Sequence, residues 1–370
     1  MTRRFRPTWA EVDLEAIRHN VRALKPEAAE LMAVVKANGY GHGDHQVARA
    51  ALEAGATWLG VALVEEGLRL REAGIDAPIL VLSELPPEAA KDALQAGLIP
   101  TTYSVGHADA LATAADALGG GGARVHVKVD TGMHRVGMQP ERAAAFVTGL
   151  LDRGFEVEGV WTHFARSEEL DQPTTERQLE RFRAVLSELD GAGISPRYRH
   201  AANSGATIGW PASHLDLVRV GIAMYGILPG PQLAGRVDLL PAMSLRSRVS
   251  HVQTLVAGEA LSYGHRYRLE RESTVATVPI GYADGYLRSL TNAGRVLIRG
   301  RRYPVAGAVT MDQIVVDCGE GPVEPGDEVV LFGRQGDDEI RAEEVAGWAG
   351  TIGYEIVCAV GGRVPREYRG

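Results

Sequence analysis

Eight short runs rich in β-branched residues recur between about residue 12 and residue 228, separated by longer amphipathic stretches, and this rhythm confines the chain to a βα-repeating architecture. The runs are "LMAVVK" (31–36), "WLGVAL" (58–63), "PILVLS" (78–83), "IPTTYS" (99–104), "RVHVKVD" (124–130), "VEGVWTHF" (157–164), "YRHAAN" (198–203) and "LDLVRVGIAMYG" (215–226). Between the sixth and seventh lies "ERQLERFRAVLSEL", where Leu179, Phe182, Leu186 and Leu189 recur at spacings of three and four while charged residues fill the opposite face, as a helix covering a sheet requires. A doubly wound open sheet shares this local pattern, but eight strands in about 220 residues match a closed (β/α)₈ barrel in number and length.

The pattern changes after the Pro/Gly-rich stretch "LPGPQLAG" (228–235). Beyond it, "SRVSHVQTLVAG", "STVATVPIG", "GRVLIRGRRYPVAGAVTMDQIVVDCG" and "GDEVVLFG" are strands punctuated by turn signals, and the tail "GTIGYEIVCAVGGRVPREYRG" is expected to close the domain with a short helix and a last strand. The sequence thus predicts a barrel over residues 10–235 followed by a mostly β domain over residues 236–370. The glycine run at 119–122 reads as a helix-to-strand connector and carries no functional assignment.

Composition narrows the function. The chain has 39 Lys plus Arg against 47 Asp plus Glu, a net charge of −8 that argues against nucleic acid and toward a small ligand. Two cysteines, Cys318 and Cys358, have neither metal-ligand spacing nor the count of a disulfide framework. With no signal-peptide pattern and no apolar run long enough to span a membrane, a cytoplasmic location is expected.

In a barrel the chemistry gathers at the C-terminal ends of the strands. There the sequence places Lys36 at the end of the first run, Lys128, Asp130 and Arg135 at and after the end of the fifth, and His163 at the end of the sixth. Asn203 and Ser204 end the seventh, Arg219 lies within the eighth, and Tyr225 is at its end. A lysine leaving an apolar strand can lose its proton by desolvation and form a Schiff base with a carbonyl; it can equally snorkel to solvent or pair with a carboxylate. Tyr40 could donate to a phosphate, while Ser204 is either part of a phosphate cup with Gly221 or a simple helix cap. A Schiff-base lysine facing a phosphate cup suits pyridoxal 5′-phosphate (PLP).

The motifs "AVVKANGYGHG", "VKVDTGMHRVGM", "THFA", "HAANSGAT", "VRVGIAMYG", "SYGHRY", "VPIGYADGYLR", "TMDQ" and "TIGYEIV" resemble, in order and spacing, those of the bacterial alanine racemase family, and they cover essentially the whole chain. The resemblance implies a PLP-binding barrel with a β domain, an N-terminal strand (residues 1–9) joining that domain, and a homodimer whose active sites draw on both subunits. It implies interconversion of L- and D-alanine, with D-alanine destined for peptidoglycan. Lys36 then holds PLP and acts as one base; Tyr263 arrives from the other subunit as the opposing base. Arg219 faces the pyridine nitrogen with His163 behind it, Tyr40, Ser204, Gly221 and Tyr354 hold the phosphate, and Arg135 and the Met311 backbone meet the substrate carboxylate. Lys128 matches a lysine carbamylated in many members, while Tyr282 and Asp312 line the substrate entrance. No metal is implied. Departures from the family pattern are Gly39, Ala308, Thr310 and Gly353, which put access and substrate breadth in question. A racemase of broader specificity and a non-catalytic PLP carrier are the competing readings, the second disfavoured by the β domain.

Overall fold

A computed structural model describes residues 5–120 and 122–370. They divide into two compact units: residues 17–39 with 44–240, and the chain up to Ala16 with residues 40–43 and 241–370. The expected connector at 119–122 includes Gly121, which lies outside the described residues, as do the first four residues of the expected N-terminal strand. The strand itself, β1, runs Trp9–Asp13 and belongs to the second unit, slightly later in the chain than expected.

The first unit is built on eight parallel strands: β2 (Glu30–Val34), β3 (Trp58–Val61), β4 (Ile79–Val81), β5 (Ile99–Thr102), β6 (Arg124–Lys128), β7 (Glu156–Trp161), β8 (Tyr198–His200) and β9 (Leu217–Val220). They follow the order β8-β7-β6-β5-β4-β3-β2-β9, with β9 paired in register to β2, so the sheet curls into a nearly closed barrel. The seam between β8 and β9 is stapled instead of laddered. Arg199 grips Asp216 through Nε at 2.7 Å and Nη2 at 3.0 Å, and the Arg219 N–H donates to the Ala202 carbonyl at 3.0 Å. Inside, Met32, Trp58, Leu80, Ile99, Tyr198 and Leu217, from six strands, form one buried cluster. The helix Thr174–Gly191 buries Leu179, Phe182, Leu186 and Leu189, the stripe its spacing predicts.

Several runs are shorter as strands than their composition suggests. Lys36 follows β2 by two residues and begins a turn instead of ending the strand; His163 lies two residues past β7. Tyr225 is not at a strand end, because after β9 the chain enters a 3₁₀ turn, Ile222–Tyr225, capped by left-handed Gly226. There the buried Tyr225 hydroxyl donates to the Val34 carbonyl at 3.0 Å, a packing role.

In the second unit β1 pairs antiparallel with β10 (Met243–Arg248) and parallel with β20 (Arg366–Arg369). These strands join β15 (Arg295–Ile298), β16 (Arg301–Pro304), β18 (Glu328–Gln335) and β19 (Asp338–Ile340) in a seven-stranded sheet. A second sheet pairs β11 (His251–Leu255), β14 (Ser273–Val278) and β17 (Ile314–Gly319), and a short hairpin pairs β12 (Ala260–Leu261) with β13 (Tyr267–Arg268). The tail closes with the expected short helix, Gly353–Ala359, and strand β20, and a further helix, Ala342–Ala349, precedes it.

Candidate active site

Lys36 opens a turn of the wrong hand. Ala37, Asn38, Gly39 and Tyr40 all take positive φ, between 50° and 59°, a left-handed run that costs non-glycine residues roughly 1–2 kcal/mol each. Its supports are specific. One oxygen of buried Glu66 accepts the Ala37 N–H at 2.6 Å while the other accepts the Ala62 and Leu63 N–H groups at 2.8 and 3.1 Å. Asn38 Oδ1 accepts the Asp44 N–H at 3.2 Å, fastening the far end. Glycine at position 39 is explained by its φ of +59°.

Across the barrel interior, Lys128 and Arg219 are each only 3% exposed and share the ring of Trp161, with Lys128 Nζ 4.4 Å and the Arg219 guanidinium 4.6 Å from its centroid. Arg219 Nη2 donates to the carbonyls of Thr162 (2.7 Å) and Ala201 (3.0 Å) and to His163 Nδ1 (3.3 Å); Nη1 donates to His200 Nδ1 (3.0 Å). A guanidinium has five hydrogens. Those bonds leave the Nε hydrogen and one Nη1 hydrogen without a protein acceptor among the described residues, and no carboxylate pairs with the group. Burial pulls its pKa down to about 9.

The neighbourhood is cationic. Burial, then Arg219, Arg135 and Lys36, bring the Lys128 ammonium down to about 7, with Asp130 opposing them. Burial and the same group of cations hold His163 neutral, well below its ordinary value. Burial would raise Asp130, but N–H groups of His134 (2.9 Å) and Gly132 (3.0 Å) outweigh it and keep the carboxyl low and ionised. Those bonds fold the loop after β6 so that Arg135 is exposed at its tip. Like charges gathered this closely repel one another, and an anionic ligand would relieve the repulsion.

Ser204 is not the helix cap. Asn203 takes that position, its side chain accepting the Ala206 N–H at 3.1 Å, and Ser204 Oγ instead accepts the Gly221 N–H at 2.9 Å and the Ala223 N–H at 3.4 Å. It is therefore tied to Gly221, the residue the sequence pairs it with. The helix residue Gln178, which the sequence reading passed over, fastens the back of this wall: its Nε2 donates to the His163 carbonyl at 3.1 Å and its Oε1 accepts the Ala165 N–H at 2.9 Å. The motifs do not single out Trp161 or His200, nor His126, which strand alternation in "VHVKVD" (125–130) places on the same face as Lys128 and Asp130.

The second unit holds the remaining candidates. Tyr40 belongs to it, with its ring 6.4 Å from that of Tyr354; Gly41 lies so close to the Val357 carbonyl that a Cβ there would meet the oxygen at 2.2 Å. Tyr263 is 77% exposed on a short turn after β12 and lines an open hollow of about 460 Å³ with Ser262, Gly264, His265 and Thr310. The Tyr282 and Ala283 N–H groups donate to the carbonyls of Thr310 and Met311, so the loops bearing Tyr282, Met311 and Asp312 are laced together. Asp312 accepts from Arg363 at 2.7 Å. Ala308 is buried, its carbonyl accepting from Ser262 Oγ at 2.8 Å.

This donor set fits PLP. A lysine at the barrel mouth supplies the amine, the excess of cations suits a phosphate-bearing ligand, and the free Arg219 hydrogens suit a ring-nitrogen acceptor. Comparison with known proteins agrees. Residues 12–229 match the family model for the alanine racemase N-terminal domain, and residues 242–368 that for the C-terminal domain. Alanine racemase of Symbiobacterium thermophilum is 54% identical over 99% of this chain and 98% of its own length, and that of Desulforamulus reducens 46% identical over 98% and 99%. Among solved structures, alanine racemase from D-cycloserine-producing Streptomyces lavendulae superimposes with a TM-score of 0.94 at 43% identity, covering 100% of this chain and 98% of that one. The Bacillus anthracis alanine racemase with bound L-Ala-P gives 0.93 at 40% identity, covering 100% and 96%. The chain belongs to the alanine racemase family, PLP-dependent enzymes that interconvert L- and D-alanine.

Proposed function

We propose that this chain racemises alanine with two bases, Lys36 on one face of the substrate and Tyr263 of a second copy on the other. PLP, when bound, supplies the electron sink that lets the α-hydrogen leave as a proton. Inversion needs a group on each face. Lys36 Nζ takes or returns the proton on one side, and Tyr263 Oη returns or takes it on the other. Arg219, always a donor, would face the ring nitrogen and offer it a hydrogen bond rather than a full proton, which would temper the electron sink and disfavour side reactions. Tyr40, Ser204, Gly221 and Tyr354 hold the phosphate, Arg135 and the Met311 N–H orient the substrate carboxylate, and Tyr282 with Asp312 frames the entrance. The observation that carries this reading is the buried Arg219 with two hydrogens that no acceptor among the described residues takes and no carboxylate paired to it, beside a Lys128 amine that burial, then Arg219, Arg135 and Lys36, depress.

Lys128 is proposed to be carbamylated. At a pKa of about 7 a large share of its amine is neutral, able to attack carbon dioxide and lose a proton, and the resulting carboxylate offsets Arg135 and Arg219. The homodimer rests on the exposure of Tyr263, and an intracellular site of action on a sequence whose two cysteines have neither the count nor the spacing of a disulfide framework. D-alanine for peptidoglycan is the proposed use of the product.

The test mixes Lys36→Ala and Tyr263→Phe chains, each inactive alone, after dissociation and reassembly. With sites shared between subunits, each mixed dimer regains one intact site, and a random mixture recovers about a quarter of wild-type activity. No recovery in demonstrably mixed dimers rejects the shared site. Turnover of lysine, arginine or serine equal to that of alanine would reject the alanine preference.

A further inference from the structure

Arg219 leads into a buried chain of side chains that the reaction scheme above does not use. His200, on β8, accepts the Arg219 Nη1 hydrogen at Nδ1 (3.0 Å), and its Nε2 lies 2.9 Å from Nδ1 of His126, on β6. His126 Nε2 then faces Oε2 of Glu158, on β7, at 3.5 Å. Both histidines are fully buried, Glu158 is 6% exposed, and His126 Nε2 and Glu158 Oε2, which have no hydrogen-bond partner of ordinary geometry among the described residues, face each other across this longer charge–dipole contact. The space is made for this purpose. A Cβ at Gly159 would meet the His126 ring at 2.5 Å, and the β6–β7 register slips beside His126.

The direction of the chain is forced from one end. A guanidinium only donates, so His200 Nδ1 must accept, which puts the His200 hydrogen on Nε2. That hydrogen points at His126 Nδ1, so the His126 hydrogen is also on Nε2 and points at Glu158. Burial keeps both rings neutral, with Arg219 and Arg124 adding to the effect at His126 and Glu158 opposing it. The chain therefore joins a buried cation to a buried anion through two neutral imidazoles. A buried carboxylate with only half-exposed Arg124 as a second neighbour, at 3.5 Å, is otherwise poorly compensated.

We propose that Glu158 is a positioning residue of the racemase site, the remote counter-charge to Arg219 that fixes the tautomers of His126 and His200. This rests on the reading that Arg219 faces the pyridine nitrogen. The groups facing Arg219 are His200, His163 and Lys128, and those facing Glu158 are His126 and Arg124, so Glu158 is the one anion in the series.

The experiment compares holoenzymes of wild type, Glu158→Gln, His126→Asn, the double variant and Arg219→Lys. Gln keeps the acceptor but removes the charge; Asn keeps an acceptor in place of Nδ1 but does not reach Glu158. Losing the anion in Glu158→Gln, or the imidazole that links it to His200 in His126→Asn, moves the alkaline limb of kcat/KM down by on the order of one pH unit, with Arg219 remaining a donor throughout. The double variant should add nothing further. The pH titration of the bound cofactor's absorbance should move with it, and ¹⁵N spectra of histidine-labelled wild type should show His126 and His200 as neutral Nε2–H rings between about pH 6 and pH 9. Unchanged profiles and spectra in a folded Glu158→Gln overturn the proposal, as does an Nδ1–H or protonated His200. If Arg219→Lys leaves the cofactor spectrum unaltered, the reading of Arg219 itself fails instead.

Discussion

The two units hold their candidate residues in opposite ways. In the barrel, Lys128 and Arg219 are buried against Trp161 and gripped by backbone carbonyls, histidines and a folded loop. In the β unit, Tyr263, Met311 and Tyr282 stand 77%, 52% and 42% exposed on turns. Charges need desolvation and fixed partners to act strongly, so they sit where strands hold them. A base that must approach from the opposite face can be offered outward and completed by another chain. The barrel half is held by its own strands; on the proposed reading the other half is offered to a second copy.

The sharpest way to break this contrast is to remove one base from each side. Lys36→Ala is expected to lower kcat for L-alanine about 10⁴-fold and to abolish the covalent cofactor chromophore, read by a chirality assay beside an absorption spectrum. Tyr263→Phe should cost about 10³-fold while cofactor affinity stays near wild type, since an exposed residue leaves the barrel intact. Equal loss of cofactor in both variants would erase the distinction.

Lys128 tests the buried half through pH. Its folded pKa of about 7 lies below the ordinary 10.5, so the unfolded chain binds more protons between those values. Stability then rises with pH through that window, by up to ~1.4 kcal/mol per unit, in carbon-dioxide-free buffer. Urea unfolding of wild type against Lys128→Met should show the slope shrinking in the variant. Intact-mass measurement under native conditions, with and without bicarbonate, reports the carbamate directly.

Smaller effects separate the supports. Glu66→Gln weakens the grip on the left-handed turn and should cost about 1–3 kcal/mol in stability with roughly tenfold lower kcat. Asp312→Asn, which removes a pair to the exposed Arg363 side chain, should change stability by less than about 1 kcal/mol. A drop in kcat/KM there without a change in kcat would mark the entrance rather than the chemistry.

Much of this was legible before any coordinates. The eight runs announced eight parallel strands because period and length are local properties. The strand ends were less legible: Lys36, His163 and Tyr225 all lie past the last ladder bond, in turns whose φ values depend on tertiary partners such as Glu66. Ser204 illustrates the same point. Its spacing allowed a cap or a tie to Gly221, and only the packing of β9 beside the helix Ser204–Gly209 chose the tie.

The amino-acid order by itself determined the βα rhythm and the change to a mostly β unit beyond the Pro/Gly-rich stretch 228–235, because patterning is written in neighbours along the chain. Only the tertiary structure decided which of the reactive residues share an environment. Burial and neighbouring charge set the Lys128 amine near neutrality, and Glu66 holds a backbone turn that no local preference would select. Two histidines lead from Arg219 to a carboxylate on another strand. Desolvation and charge coupling act through space, between strands far apart in sequence, and no reading of adjacent residues contains them.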